Sequence, residues 1–292
     1  MQFYSSPLFL TYGSDFSGPE CASRFEGLEE LILGQENNIR TIDDKGEMKL
    51  DPKILKTIRK THRYGLRFQT KNVKTPETID NEDETFFDRN TFRAAYLAVA
   101  NSLEAAKNAS IEGTFALVRP PGHHAHRDYT HGFCIFNNMA IVAKYLSHRR
   151  ERVLVLDLDI HHGCGTEELL EAERNVNMVS IYQKNIWPGN EHYKFARNCV
   201  HIPLDNKVND ERFQRIIQRN VVRQLNRVQP SVVGISLGID TFDEENLGWK
   251  LTTDSIIKLQ EILRHGNQKH FFILEGGYKP ESIQRLVQAL GL

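Results

Sequence analysis

The feature that most constrains the fold is a change of period that repeats along most of the chain. Short, nearly unbroken apolar runs occur at residues 115–118 (FALV), 153–156 (VLVL), 178–182 (MVSIY), 231–237 (SVVGISL) and 271–274 (FFIL). Between and before them lie longer segments with helical spacing, at 92–107, 138–146, 167–174, 210–228 and 254–264. An apolar run without alternation is what a strand needs when both its faces are buried. Strands alternating with helices imply crossover connections and a mainly parallel sheet. The expectation is an open α/β sandwich, a mainly parallel sheet flanked by helices, in a single domain over residues 1–292. No repeat and no Ser/Gly/Pro-rich linker divides the chain. Residues 71–88 (KNVKTPETIDNEDETFFD) read as a polar surface excursion, and their acidic part, 80–88, as a solvated loop.

Composition removes several classes of function. With 37 Lys and Arg against 38 Asp and Glu, the net charge is -1, so no global basic excess attracts nucleic acid or an anionic membrane. The 40% hydrophobic content excludes a disordered chain. Cys21, Cys134, Cys164 and Cys199 form no CxxC pair, which argues against a zinc ribbon and fits a reducing compartment. No apolar run approaches the ~20 residues of a membrane span, and the first residues lack a basic, signal-like start. The expected location is cytoplasmic.

The chemistry follows the strands. Residues 115–118 lead into Arg119 and His123-His124, 153–156 into Asp157, Asp159, His161 and His162, 231–237 into Asp240, and 271–274 into Glu275, Gly276, Gly277 and Tyr278. Open α/β sheets hold ligands beyond the carboxyl ends of their strands. One Asp after a strand is often only a helix cap, and one His-His pair is often surface loop; four such segments at equivalent positions favour a site. In extended backbone, residues i and i+2 point the same way, so Asp159 and His161 can reach one ion, with Asp240 as a third ligand. Three protein ligands and an open position are the pattern of a catalytic metal, Zn²⁺ first, with Fe²⁺, Co²⁺ or Mn²⁺ accommodated by the same donors. Asp157 reads as a carboxylate that orients a histidine from behind the ligands. His123 and His124 supply proton transfer, and the Tyr278 phenol can donate to a developing oxyanion. A binuclear hydrolase would need further bridging carboxylates that these segments do not offer.

The strings RPPGHHAHRDYTHGFCIFNN (from Arg119), DLDIHHGCGTEE (from Asp157), GISLGIDTFDEENLG (from Gly234) and LEGGY (from Leu274) resemble the zinc-dependent deacetylases. That family includes class I and II histone deacetylases, acetylpolyamine amidohydrolases and acetoin-utilisation-type proteins, on the arginase/deacetylase fold; the wording is nearest the class II and prokaryotic branches. The resemblance implies Asp159, His161 and Asp240 as ligands of Zn²⁺. It implies His124 as general base and then acid, His123 paired with Asp157 as its electrostatic partner, and Tyr278 polarising the substrate carbonyl. Gly132, Phe133, Trp187 and Leu247 match positions of the substrate tunnel, and Arg24 the exit cavity. Asp157, Asp159, His161 and Ser180 match a structural monovalent-cation site that takes K⁺. Cys164 stands where the family has an Asp or Asn beside the second active-site histidine, and a thiol is the weaker hydrogen-bond partner. Gly18-Pro19-Glu20 replaces a His-Pro-Glu, and Leu247 a glutamate found in a polyamine-preferring branch.

The function implied is a metal-dependent amidohydrolase that removes an acetyl or other acyl group from an acylated amine such as acetyl-lysine, by attack of a metal-bound water. An acetylpolyamine or small-metabolite deacetylase is the alternative. A weakly catalytic protein that binds a metal and acyl-lysine is the alternative of another class.

Overall fold

The central strands of this chain are buried from end to end, and the sheet they form dictates where the loops meet. The computed structural model describes residues 1–34, 39–41, 77–78, 85–189 and 196–291. Its strands are β1 (Gln2–Ser5), β2 (Ile39–Thr41), β3 (Glu77–Thr78), β4 (Phe86–Phe87), β5 (Thr114–Ala116), β6 (Val153–Asp157), β7 (Val176–Gln183), β8 (Cys199–Leu204), β9 (Val232–Leu237) and β10 (His270–Leu274). Eight of them form one sheet in the order β2-β1-β5-β10-β9-β6-β7-β8, and every pairing in it is parallel. All residues of β5, β6, β9 and β10 are buried, which is why these segments read as unbroken apolar runs.

The helices are α1 (Glu29–Leu33), α2 (Thr91–Lys107), α3 (Asn138–Ser147), α4 (Cys164–Leu170), α5 (Asp210–Val228), α6 (Thr253–His265) and α7 (Pro280–Ala289). Helices α2, α3 and α4 pack in succession, as do α5, α6 and α7. Asn137, Asn209 and Thr252 begin α3, α5 and α6, each accepting a backbone N–H of the first turn. No helix among the described residues is long and apolar enough to cross a membrane.

The structure departs from the sequence expectation in three places. Helix α4 begins at Cys164, earlier than expected, because the His161–Gly163 turn runs directly into it and buries Cys164, Gly165 and Thr166. Strand β8 carries Pro203 and pairs only with β7; a proline and half-buried positions at a sheet edge leave no apolar run to read. The end of the expected surface excursion belongs to the interior: Phe86 and Phe87 are buried, pair antiparallel with β3, and Phe86 stacks on Phe16 and Tyr12 at 4.1 and 5.3 Å. Most of the acidic stretch 80–88 lies outside the described residues; Asp88 holds Thr91 at the start of α2.

The decisive consequence is adjacency. The four strands that lead into titratable segments, β5, β10, β9 and β6, are consecutive in the sheet. Neighbouring strands are about 4.8 Å apart, so their carboxyl ends deliver four loops to one patch about 15 Å across.

Candidate active site

Asp159 and His161 follow β6, and Asp240 follows β9. His161 Nδ1 lies 3.0 Å from Asp159 Oδ1 and 3.0 Å from Asp240 Oδ2. One ligand atom of each residue lies within 4.8 Å of the others. Backbone amides hold the carboxylates in place: Gly276 N–H donates to Asp159 Oδ2 (2.9 Å), and Ile160 N–H to Asp240 Oδ1 (3.1 Å). Asp240 Oδ2 is buried and has no aligned hydrogen-bond donor among the described residues; its near neighbour is His161 Nδ1, and a cation held between the two would satisfy both. Glycines leave room for this packing. A Cβ on Gly276 would sit 2.5 Å from Asp240 Oδ2, and one on Gly238 2.1 Å from Asp159 Oδ2. Burial pushes the Asp240 carboxyl up to about 7, reinforced by the charge of Asp159. Asp159 goes the other way: burial opposes ionisation, but His123 and His161 outweigh it and hold the group well below the usual range. Two carboxylates and an imidazole with an unsatisfied oxygen fit a divalent cation of the Zn²⁺ type.

His123 and His124 stand beside this centre with their ring centroids 3.8 Å apart. They are buried alike and titrate in opposite directions. Burial disfavours the charged form of His123, yet Asp159 and Asp157 overcome it and raise the group to about 10. Its Nδ1 is 3.4 Å from Asp157 Oδ2 and its Nε2 3.7 Å from Asp159 Oδ2. His124 has no carboxylate beside it; burial and then the neighbouring His123, His161 and His131 drive its pKa well below 6.5. Its Nδ1 faces Cys164 Sγ at 3.5 Å.

On the other side Tyr278 is fixed from three directions. Its N–H donates to Glu245 (3.0 Å), its ring meets Phe133 edge-on at 5.4 Å, and the Arg24 guanidinium lies 4.7 Å from its centre. Burial pushes the phenol well above its ordinary value against the pull of Arg24, so it stays a hydrogen donor. Arg24 is buried, pairs with Glu20 at 2.7 Å and donates to the carbonyls of Gly277 and Glu275. Trp187 meets His124 edge-on at 4.7 Å and His131 at a tilt at 4.5 Å, and is 40% exposed. Phe133 thus packs on Tyr278, and Trp187 on the two histidines. Gly132 takes φ +53°, and a Cβ there would meet Trp187 at 2.5 Å and His124 at 2.7 Å. Leu247 is exposed in the loop after Asp243–Glu245, away from the described hydrogen-bond network.

Comparison with known proteins agrees with this geometry. Residues 25–291 match the histone deacetylase domain. The chain belongs to the histone deacetylase family. It is 31% identical over 246 residues to Histone deacetylase 6 of Caenorhabditis elegans, covering 76% of this chain and 26% of that protein. It is 34% identical over 206 residues to the Acetylpolyamine amidohydrolase of Burkholderia pseudomallei, covering 66% of this chain and 60% of that one. The chain thus spans from about a quarter to three fifths of the length of such relatives. The crystal structure of the HDA15 HD domain superposes with a TM-score of 0.82 at 25% identity, over 99% of this chain and 86% of that one. The parallel α/β sheet expected from the strand pattern, and the arginase/deacetylase-like architecture implied by the resemblance, are therefore the ones observed.

Within this deacetylase-family site several groups had no role in the sequence reading. Glu275 follows β10, is buried, accepts the Gly122 and His123 N–H groups (2.7 and 3.1 Å) and the Ser236 hydroxyl, and so ties the loop after β5 to β9. Arg119 is buried against Glu20 (2.9 Å) and the carbonyls of Phe9 and Tyr12. His126, His131, Glu167, Glu168 and His201 complete a second layer. The density of histidine after β5 was the visible signal for two of them; nothing local pointed to the pairing of Glu167 with His201.

Proposed function

We propose that this chain is a metal-dependent amidohydrolase that removes an acetyl or related acyl group from an acylated primary amine, and that residues 1–292 act as one catalytic domain. The observation that carries the reading is the convergence of Asp159, His161 and Asp240, with an unsatisfied buried oxygen, beside a histidine held neutral. Asp159, His161 and Asp240 would hold a Zn²⁺-type ion, which supplies Lewis acidity at the carbonyl and brings the pKa of water to near 7.

His124 is uncharged at neutral pH and can take a proton from the attacking water, then return it to the departing amine nitrogen. His123, kept protonated by Asp157 and Asp159, places positive charge next to it and favours the neutral form. Tyr278 O–H donates to the carbonyl oxygen as negative charge develops there, and Arg24 with Glu20 prevents the ring from swinging away. Phe133 and Trp187 exclude water from the acyl-bearing chain. Ser180 Oγ is buried without a hydrogen-bond partner among the described residues, opposite Asp157 in the β6–β7 ladder, which supports K⁺ at that position.

An acyl-lysine side chain suits this opening better than a polyamine. The position of Leu247 carries no charge, and the nearby Glu244 and Glu245 are engaged by Arg285 and by the N–H groups of Tyr278 and Lys279. The four cysteines form no disulfide with one another, in keeping with a reducing, cytoplasmic setting. The test is turnover of a panel of acyl-lysine peptides and acetylpolyamines by the Zn²⁺-loaded chain. Chelator-sensitive release of acetate from the peptides supports the reading; no turnover of any amide would refute it, and a preference for acetylpolyamines would reassign the substrate.

A further inference from the structure

Cys164 gives this pocket a second set of donors, softer than the first. Its Sγ lies 3.5 Å from His124 Nδ1 and 3.4 Å from His126 Nε2. One donor atom each from His124, His131 and Cys164 lie within 4.8 Å of one another. The cluster is rigidly backed: His126 Nδ1 is paired with Glu168, and Cys164 is buried in the first turn of α4. With metal–sulfur and metal–nitrogen bonds of about 2.3 and 2.0 Å, tetrahedral geometry separates sulfur from nitrogen by roughly 3.5 Å. The separation of Cys164 Sγ from His124 Nδ1 matches that spacing, and the His131 donor atom lies within 4.8 Å of both. Thiolate and imidazole select Zn²⁺, Cd²⁺ and similar borderline or soft ions, whereas the Asp159–His161–Asp240 set is rich in hard oxygen.

We propose that this chain binds a second, thiophilic divalent ion on Cys164, His124 and His131, and that filling this site shuts the pocket down. Binding breaks the Cys164 S–H bond and forms a metal–sulfur bond; the proton leaves to the buffer by way of His126, whose Nε2 faces the sulfur. Coordination takes the His124 lone pair, and Trp187, against both His124 and His131, closes over the ion. The inhibitory half of the proposal rests on the reading of His124 as proton acceptor; the binding half does not.

The experiment separates the two. The full chain carrying one equivalent of Zn²⁺ is titrated with Cd²⁺, reading thiolate-to-cadmium charge-transfer absorbance, both metals per chain by elemental analysis, and turnover of an acetyl-lysine peptide. The expected result is a band saturating at one further equivalent, two ions per chain, and turnover reduced about tenfold or more, restored by a mild chelator. In Cys164→Ser the band and the second ion disappear while the first ion stays; in His131→Asn the second ion binds about tenfold more weakly. Should Cys164→Ser lose the first ion as well, Cys164→Asn takes its place, with the same expectation. The proposal is overturned if the wild type stops at one ion per chain, or if the band survives without the Cys164 thiol. A second ion that binds through Cys164 yet leaves turnover intact overturns the inhibitory half alone.

Discussion

His161 and His162 are neighbours in the chain, yet they enter two different imidazole–carboxylate clusters. His161 meets Asp159 and Asp240, which come from the ends of two adjacent strands, and the Asp240 oxygen that faces it has no aligned hydrogen-bond donor. His162 turns the other way and meets Glu167 Oε2 at 2.8 Å; the other oxygen of Glu167 takes His201 Nε2 (3.1 Å) and the Ala196 N–H (2.5 Å). Both clusters have the donor atoms of a metal site. They differ in satisfaction. The Glu167 carboxylate accepts three hydrogen bonds, whereas Asp240 Oδ2 has an imidazole nitrogen close by but no aligned donor, and a buried acceptor so placed costs free energy until a cation arrives. Composition of a cluster is therefore a weaker guide to a metal than an unanswered lone pair.

The comparison can be broken by removing a carboxylate from each cluster. Asp240→Ala is expected to reduce bound Zn²⁺ to below about a tenth per chain and turnover by roughly 10³-fold or more. Stoichiometric tight metal in that variant, measured by elemental analysis, would show that the ion sits elsewhere. Tyr278→Phe tests the chemistry without the ligands: turnover should drop by about 10²-fold with metal content unchanged. Gly276→Ala pushes a methyl group into both aspartates and should weaken Zn²⁺ binding by about tenfold in a chelator competition, with little change in thermal stability. Unaltered affinity would mean that the carboxylates are free to shift.

Glu167→Gln should leave Zn²⁺ binding as it is and cost about 1–3 kcal/mol of stability in urea denaturation at pH 7. Burial pushes the Glu167 carboxyl up, but His162, His201 and the Ala196 N–H outweigh it and bring the group to about 2, below its ordinary 4.5. A depressed carboxyl stabilises the fold above its unfolded value and loses that contribution as pH falls toward the folded one. The stability gap between wild type and Glu167→Gln should therefore hold above pH 4.5 and shrink below it; a gap that does not vary with pH would remove the charge from the explanation. The smallest effect concerns His124. Its pKa lies well below 6.5, so the base is already deprotonated at neutral pH, and the acid limb of kcat/KM should appear below pH 6.5. A limb above pH 7 would mean that another group controls the proton.

Much of this arrangement was legible in the linear chain, and the exceptions have physical causes. The runs at 153–156 and 231–237 announced buried parallel strands because a strand covered on both faces is made mainly of apolar residues. The i, i+2 spacing of Asp159 and His161 announced a shared direction because extended backbone has no other choice. By contrast, β8 was illegible because an edge strand carrying His201 and Pro203 has no periodicity to show. Phe86 and Phe87, embedded in an acidic stretch, became core through distant contacts that no local window contains, Phe86 by stacking on Phe16 and Tyr12 and Phe87 by joining the main core.

What the chain dictated unaided was the class of fold and the kinds of groups standing at its strand ends, since hydrophobic period and residue spacing act over a few residues. What folding alone decided was adjacency: that β5, β10, β9 and β6 lie side by side, that Asp159 and Asp240 both face His161, and that Glu167 joins His162 to His201. Those outcomes depend on which distant segments bury one another's surface, and that competition is settled only when the whole sheet closes.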